Sequence, residues 1–141
     1  MEIWKDIVGY ENLYQVSSLG RIRSLRFNKI KILKNSINRQ GYMRVNLFKD
    51  KVALTCSVHQ LVGINFIENP LCKEQVNHID GNKLNNCVEN LEWSSSLENV
   101  RHAHRIGLNG KERRARFFIN SLLSITDVNS IHLLCTEYLD Q

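Results

Sequence analysis

Residues 76–93 read VNHIDGNKLNNCVENLEW, and residues 95–107 continue SSLENVRHAHRIG. Val76–Ile79 has the composition of a short strand, and it runs into Asp80-Gly81-Asn82, the chemistry of a tight turn. Asn90–Trp93 reads as the returning strand. Ser95 followed three residues later by Glu98 is a capping box, which opens a helix, and Gly107 is its stop. A strand–turn–strand–helix unit therefore sets His78 at the end of one strand, Asn90 across the hairpin and Asn99 on the first helical turn. Three such side chains fit around one point. An imidazole serves as a general base near neutral pH, and carboxamide oxygens suit a hard cation such as Mg²⁺. By residue type alone, a His beside an Asp-Gly turn is more often structural, so both readings stand at this level.

Upstream, residues 58–67 (VHQLVGINFI) place Val58, Leu61, Val62 and Phe66 at helical spacing. Asn69-Pro70 is expected to end that helix, because the residue before proline avoids the helical region. Before it, the period changes to two. Ile22 alternates with arginines in GRIRSL (20–25), GYMRVNLF (41–48) alternates similarly, and VALTCSV (52–58) is rich in strand formers. Turn residues at 17–20, 38–41 and 49–51 separate these runs. One small antiparallel sheet over residues 13–58 follows, with Arg21, Arg23, Arg26, Lys29, Lys31, Lys34 and Arg44 largely exposed. Such a ribbon is narrow enough for a DNA major groove. Downstream, residues 111–123 predict a basic, then apolar helix, and Thr126 caps a last helix through Leu139.

The chain has 141 residues, a formal charge of +5, 43% hydrophobic and 23% charged residues. That is ordinary globular usage and excludes wholesale disorder. No apolar run reaches the ~18 residues of a membrane span. Cys56, Cys72, Cys87 and Cys135 form no C-x-x-C pair, which argues against structural zinc and a disulfide framework and for a reducing cytoplasm. The charge is uneven: residues 21–51 hold ten Lys or Arg against Asp50 alone, residues 101–117 hold six against Glu112, and the middle is mildly acidic. Two basic blocks of this kind suit a polyanion held at two points. An RNA-binding β-platform fits less well, because no aromatic ladder interleaves the basic strands.

The order of His78, Asp80-Gly81-Asn82, Asn85-Asn86, Asn90-Leu91 and Trp93, with Asn99 beyond, closely resembles the HNH endonucleases of the ββα-metal type. The small enzymes of phages and self-splicing introns are the most similar group. Val58-His59-Gln60-Leu61-Val62, with Phe66 and Asn69-Pro70, resembles the helix before the motif in that group. Ile3–Ile7, Gly9–Glu11, Tyr14–Ser17 and Leu19–Ile22 resemble a modular segment often joined to such nucleases. The resemblance spans residues 2–108 and implies an α+β fold. An N-terminal antiparallel β-sheet region contacting DNA (1–57) is followed by an HNH nuclease core (58–108) and a basic helical tail (109–141), too short for a complete C-terminal DNA reader.

Roles follow from the same resemblance. His78 and Asn90 belong to the catalytic motif, His78 activating the attacking water and Asn90 holding the His-bearing loop in shape. Asn77 and Asn99 bind one divalent cation, Mg²⁺ or Mn²⁺, and no structural zinc is expected. Arg21, Arg23, Arg26, Lys29, Lys31, Arg44, Arg101, Arg105, Arg113 and Arg114 are the expected DNA contacts. The implied activity is metal-dependent, homing-type cleavage of double-stranded DNA to 5′-phosphate and 3′-hydroxyl ends, by a cytoplasmic monomer with no membrane partner (the cytoplasm of a bacterial host, if phage-encoded). Asn77 departs from the pattern, which often has aspartate there. A neutral carbonyl attracts a divalent ion less than a carboxylate does. The alternative is therefore a weak or inactive relative that binds DNA. His59, Asp80, Trp4 and Trp93 are expected to be structural, and Asn85 and Asn86 to hold the loop.

Overall fold

The structure, a computed structural model, describes residues 1–107, with Asn28 as backbone only. The two expected tail helices, and Arg113 and Arg114 with them, lie outside the described residues.

Alternating burial builds the first strands. In β2 (Tyr14–Ser17) and β3 (Ile22–Ser24), Tyr14, Val16 and Ile22 point inward, while Gln15 and Arg23 remain half-exposed. β1 (Trp4–Asp6), β2, β3 and β4 (Lys31–Ile32) form one antiparallel sheet in chain order. A second antiparallel sheet holds β5 (Ser36–Ile37), β6 (Met43–Lys49) and β7 (Val52–Ser57). The single sheet expected over residues 13–58 is thus two. β3 has its outer edge filled by β4, so β6 pairs instead with β5 and β7 and turns Val45 and Leu47 into the core. Asp50 and Lys51, at φ 51° and 64°, make the two-residue β6–β7 turn whose left-handed backbone matches strand twist.

Helix α1 (Val58–Phe66) lies at the centre of the unit Met1–Arg101. Its Val58, Leu61 and Val62 join Ile7, Val16, Ile22, Leu47, Val76 and Leu91 in one core fed by both sheets. Each fully buried side chain of this size contributes about 1.5–3 kcal/mol. A Cβ on Gly63 would stand 2.7 Å from Cγ2 of Val76, so the helix reaches the next strand only because residue 63 has no side chain. α1 ends at Phe66, ahead of the expected stop at Asn69-Pro70: Asn65 Nδ2 turns back to the Leu61 carbonyl while Ile67 is already extended.

β8 (Gln75–His78) and β9 (Leu91–Ser94) pair antiparallel, and α2 (Ser96–Arg105) follows. Asn90, expected in the second strand, instead closes a 3-10 turn over Val88–Asn90 just before it. The capping box is formed in full: Ser95 N–H donates to Glu98 Oε2 at 2.7 Å and Glu98 N–H to Ser95 Oγ at 3.3 Å. No helix among the described residues is long and apolar enough to cross a membrane.

Candidate active site and metal centre

The loop between β8 and β9 is organised by one carboxamide. Asn90 Oδ1 accepts the Asp80 N–H at 3.0 Å, and its Nδ2 donates to Asp80 Oδ1 at 2.9 Å and to the Asn85 carbonyl at 2.8 Å. Asp80 also accepts from the Asn82 N–H at 2.7 Å and from Asn85 Nδ2 at 2.8 Å. Burial works against the Asp80 carboxylate, but these hydrogen bonds outweigh it and hold its pKa below the usual value. The turn is a closed polar lattice, and it fixes the end of β8, where His78 sits.

His78 is 4% exposed. Its Nε2 lies 3.0 Å from Asn86 Oδ1. Asn86 spends its Nδ2 on the Leu84 carbonyl at 3.2 Å and Met43 Sδ at 3.0 Å, so the oxygen is the group that meets the imidazole. An acceptor at that point requires hydrogen on Nε2 and leaves the Nδ1 lone pair as the ring's basic site. Burial is the first cause that pushes the His78 pKa below its ordinary value, with Asn86 and Asp80 opposing it. Burial thus disfavours the imidazolium form of His78. This partner was hidden from the sequence, where Asn86 reads only as a turn residue.

Asn77 and Asn99 reach the same hairpin by different routes. Asn77 lies opposite Glu92 in the β8–β9 register, and its Nδ2 donates to Glu92 Oε1 at 3.0 Å. Gln75, two residues away and so on the same face of β8, accepts from Asn99 Nδ2 at 2.8 Å. Each amide thus has its NH₂ group engaged and its oxygen on the other branch. Oxygen donors of this kind fit Mg²⁺ or Mn²⁺. Among the described residues, no three His, Cys, Asp or Glu side chains gather as an alternative cage.

A cavity of about 450 Å³ adjoins this face, lined by Tyr42, Arg44, His59, Gln60, Gln75 and Asn99 among others. His59 is buried, as expected, but its ring stands 5.1 Å from that of His78 and 5.0 Å from that of Tyr42. Burial first, then the nearby His78, Arg44 and Lys83, lowers the His59 pKa to about 4. Arg44 gives Nη2 to the Thr55 carbonyl at 3.0 Å. The other basic residues divide in two. Arg21 is ion-paired with Glu2, and Arg23 lies 4.2 Å over the Trp4 ring with Nε on Gln15. Arg26, Lys29 and Lys31 instead rim a second cavity of about 370 Å³ floored by Tyr14, Leu33 and Phe48. Arg101 and Arg105 are exposed on α2.

Residues 2–48 match the NUMOD4 motif and residues 58–101 match the HNH endonuclease family. DNA endonuclease I-HmuI of Bacillus phage SP01 is 45% identical over 97 residues, covering 69% of this chain and 55% of that protein. The SPbeta prophage-derived putative HNH homing endonuclease YosQ of Bacillus subtilis (strain 168) is 35% identical over 121 residues, covering 84% of this chain and 66% of that protein. The solved structure of the HNH homing endonuclease I-HmuI, described as DNA binding and cleavage, superposes with a TM-score of 0.70 at 39% identity, over 82% of this chain and 65% of that one. The chain therefore spans little more than half of the phage protein. A NUMOD4 motif over residues 2–48, an HNH endonuclease module over residues 58–101, and a fold shared with I-HmuI at 39% identity agree: the chain belongs to the HNH homing endonuclease family.

Proposed function

We propose that the chain hydrolyses phosphodiester bonds of double-stranded DNA, leaving 5′-phosphate and 3′-hydroxyl ends. The observation that carries this reading is the buried His78, with Nε2 3.0 Å from Asn86 Oδ1 and hence Nδ1 left as its accepting nitrogen, next to Asn77 in β8. His78 Nδ1 accepts the proton of a water in line with the scissile phosphorus. Asn90 positions His78 by closing the loop that follows it. A Mg²⁺ or Mn²⁺ ion held by Asn77 and Asn99 would relieve charge on the phosphorane and the leaving 3′ oxygen. The cavity beside Asn99 brings Arg44 toward the backbone of the bound strand, and Arg26, Lys29 and Lys31 meet phosphates further along.

Purified protein with supercoiled plasmid tests this directly. Nicked or linear product with Mg²⁺ or Mn²⁺, abolished by chelator, is expected. His78→Ala is expected to lower cleavage by at least ~100-fold while DNA binding holds. Near-normal cleavage by that variant at equal folding removes His78 from the mechanism. A gel shift without cleavage in the wild type selects the DNA-binding alternative that Asn77 raises.

A further inference from the structure

The substitution that separates this chain from the family pattern comes with a partner. An asparagine offers a metal one oxygen, and only if its NH₂ group is held elsewhere; an aspartate has two equivalent oxygens and no such requirement. Glu92 meets that requirement. It stands directly across the hairpin from Asn77, and its Oε1 accepts from Asn77 Nδ2 at 3.0 Å, which turns Oδ1 of Asn77 the other way. The same device recurs at the second ligand. Gln75 gives its Nε2 to Ser96 Oγ at 3.1 Å and so turns Oε1 to Asn99 Nδ2 at 2.8 Å. Each carboxamide is clamped by its donor end from a residue of β8 or β9.

We propose that Glu92 is a positioning residue of the metal centre, which orients the Asn77 carbonyl toward the cation without itself being a ligand. The proposal rests on the reading of Asn77 and Asn99 as the metal pair. It explains how asparagine is tolerated at position 77: a fixed neutral oxygen offsets part of what the lost charge would supply, because outer partners of ligands set their orientation.

Mn²⁺ binding by calorimetry on the full chain, without DNA and independent of turnover, is the test. Glu92→Ala is expected to weaken Mn²⁺ binding by about 10-fold or more. Glu92→Gln, whose side-chain oxygen can still accept from Asn77, is expected to recover most of that loss. In an Asn77→Asp background the requirement vanishes, so adding Glu92→Ala is expected to change affinity by less than about 2-fold. Glu92 is exposed, and melting curves check that each variant folds. Unchanged Mn²⁺ affinity in Glu92→Ala overturns the proposal, as does an equal loss in the wild-type and Asn77→Asp backgrounds, which makes Glu92 a direct ligand. Asn99→Ala, measured alongside, separates the two levels. If it weakens binding while Glu92→Ala does not, only the positioning role falls; if neither matters, the metal pair falls and takes this proposal with it.

Discussion

An imidazole that is to act as a base at one nitrogen needs the other committed, and at His78, the base proposed above, Asn86 is the group placed to do so. Asn86→Ala removes the acceptor and leaves the buried Nε2–H unpaired. Loss of such a second partner typically lowers activity by about 10–100-fold. The fall is expected in kcat, with DNA affinity unchanged, and Asn86→Asp should retain more activity than Asn86→Ala because it keeps an acceptor. Single-turnover cleavage beside a binding isotherm reads both. His59 carries a different consequence. Its pKa lies near 4 in the fold against about 6.5 in the unfolded chain, so the unfolded state takes up a proton that the folded state refuses. Stability is then independent of this group above about pH 6.5 and falls as pH drops toward 4, by up to about 3 kcal/mol. Urea midpoints of the wild type should decline over that window, and His59→Gln should flatten the decline. An identical slope in the variant removes His59 as the cause.

At the scale of elements, the site depends on approaches that only glycine allows. Gly20 has φ 77°, and a Cβ there would stand 2.7 Å from Asn86 Cβ and 2.9 Å from the Asn86 carbonyl oxygen. The clash is with backbone, so the turn before β3 must shift, and Ser18, whose carbonyl accepts the Val88 N–H at 2.9 Å, shifts with it. Gly20→Ala is expected to cost about 1–3 kcal/mol and to lower cleavage as well, because Asn86 is the partner of His78. A thermal melt and a cleavage rate on one preparation check both; a destabilised protein with full activity would uncouple the N-terminal turn from the site. Such couplings mark the limit of what the sequence shows. The β6–β7 hairpin, the apolar face of α1 and the Ser95–Glu98 capping box were legible because each is a local pattern within about ten residues. His78, Asn90 and Asn99 were legible through a motif. Glu92 was not, since its partner follows from strand register, which the loop between β8 and β9 sets and no spacing rule supplies; nor was Gln75, whose partners Ser96 and Asn99 follow from how α2 lies against β8. Asn86 was legible as a turn residue but not as a histidine partner, because a side chain's second hydrogen bond depends on how the turn closes. The split into two sheets was missed for the same reason: strand formers reveal strands, not which edges they take.

For the molecule as a whole, net charge predicts attraction to DNA, whereas the arrangement of charges predicts which residues deliver it. The basic block 21–51 was read as one exposed cationic surface, but its members are not equally available. Arg21 is held by Glu2, and a phosphate must compete with that carboxylate. Arg23 is stacked on Trp4 with Nε spent on Gln15. Lys29, Lys31 and Lys34 are exposed along the edge beyond. Each phosphate neutralised releases about 0.9 counterion, and log K falls with log salt in proportion. Replacing Lys29, Lys31 and Lys34 together by Gln should therefore flatten that slope by up to about 3 units if each meets one phosphate. Replacing Arg21 and Arg23 by Gln should flatten it by less than about 1 unit, because Arg21 exchanges one anion for another on binding, releasing few counterions, and Arg23 is retained by its aromatic partner. Titrations of labelled duplex between 50 and 300 mM salt (on the order of the range where the slope is linear) distinguish the two sets. Equal flattening by both would mean that DNA displaces Glu2 and lifts Arg23 from Trp4, and that β1–β3 open their side-chain contacts to bind; a larger effect from the arginine pair would place the DNA path over β2 and β3 instead of the lysine edge.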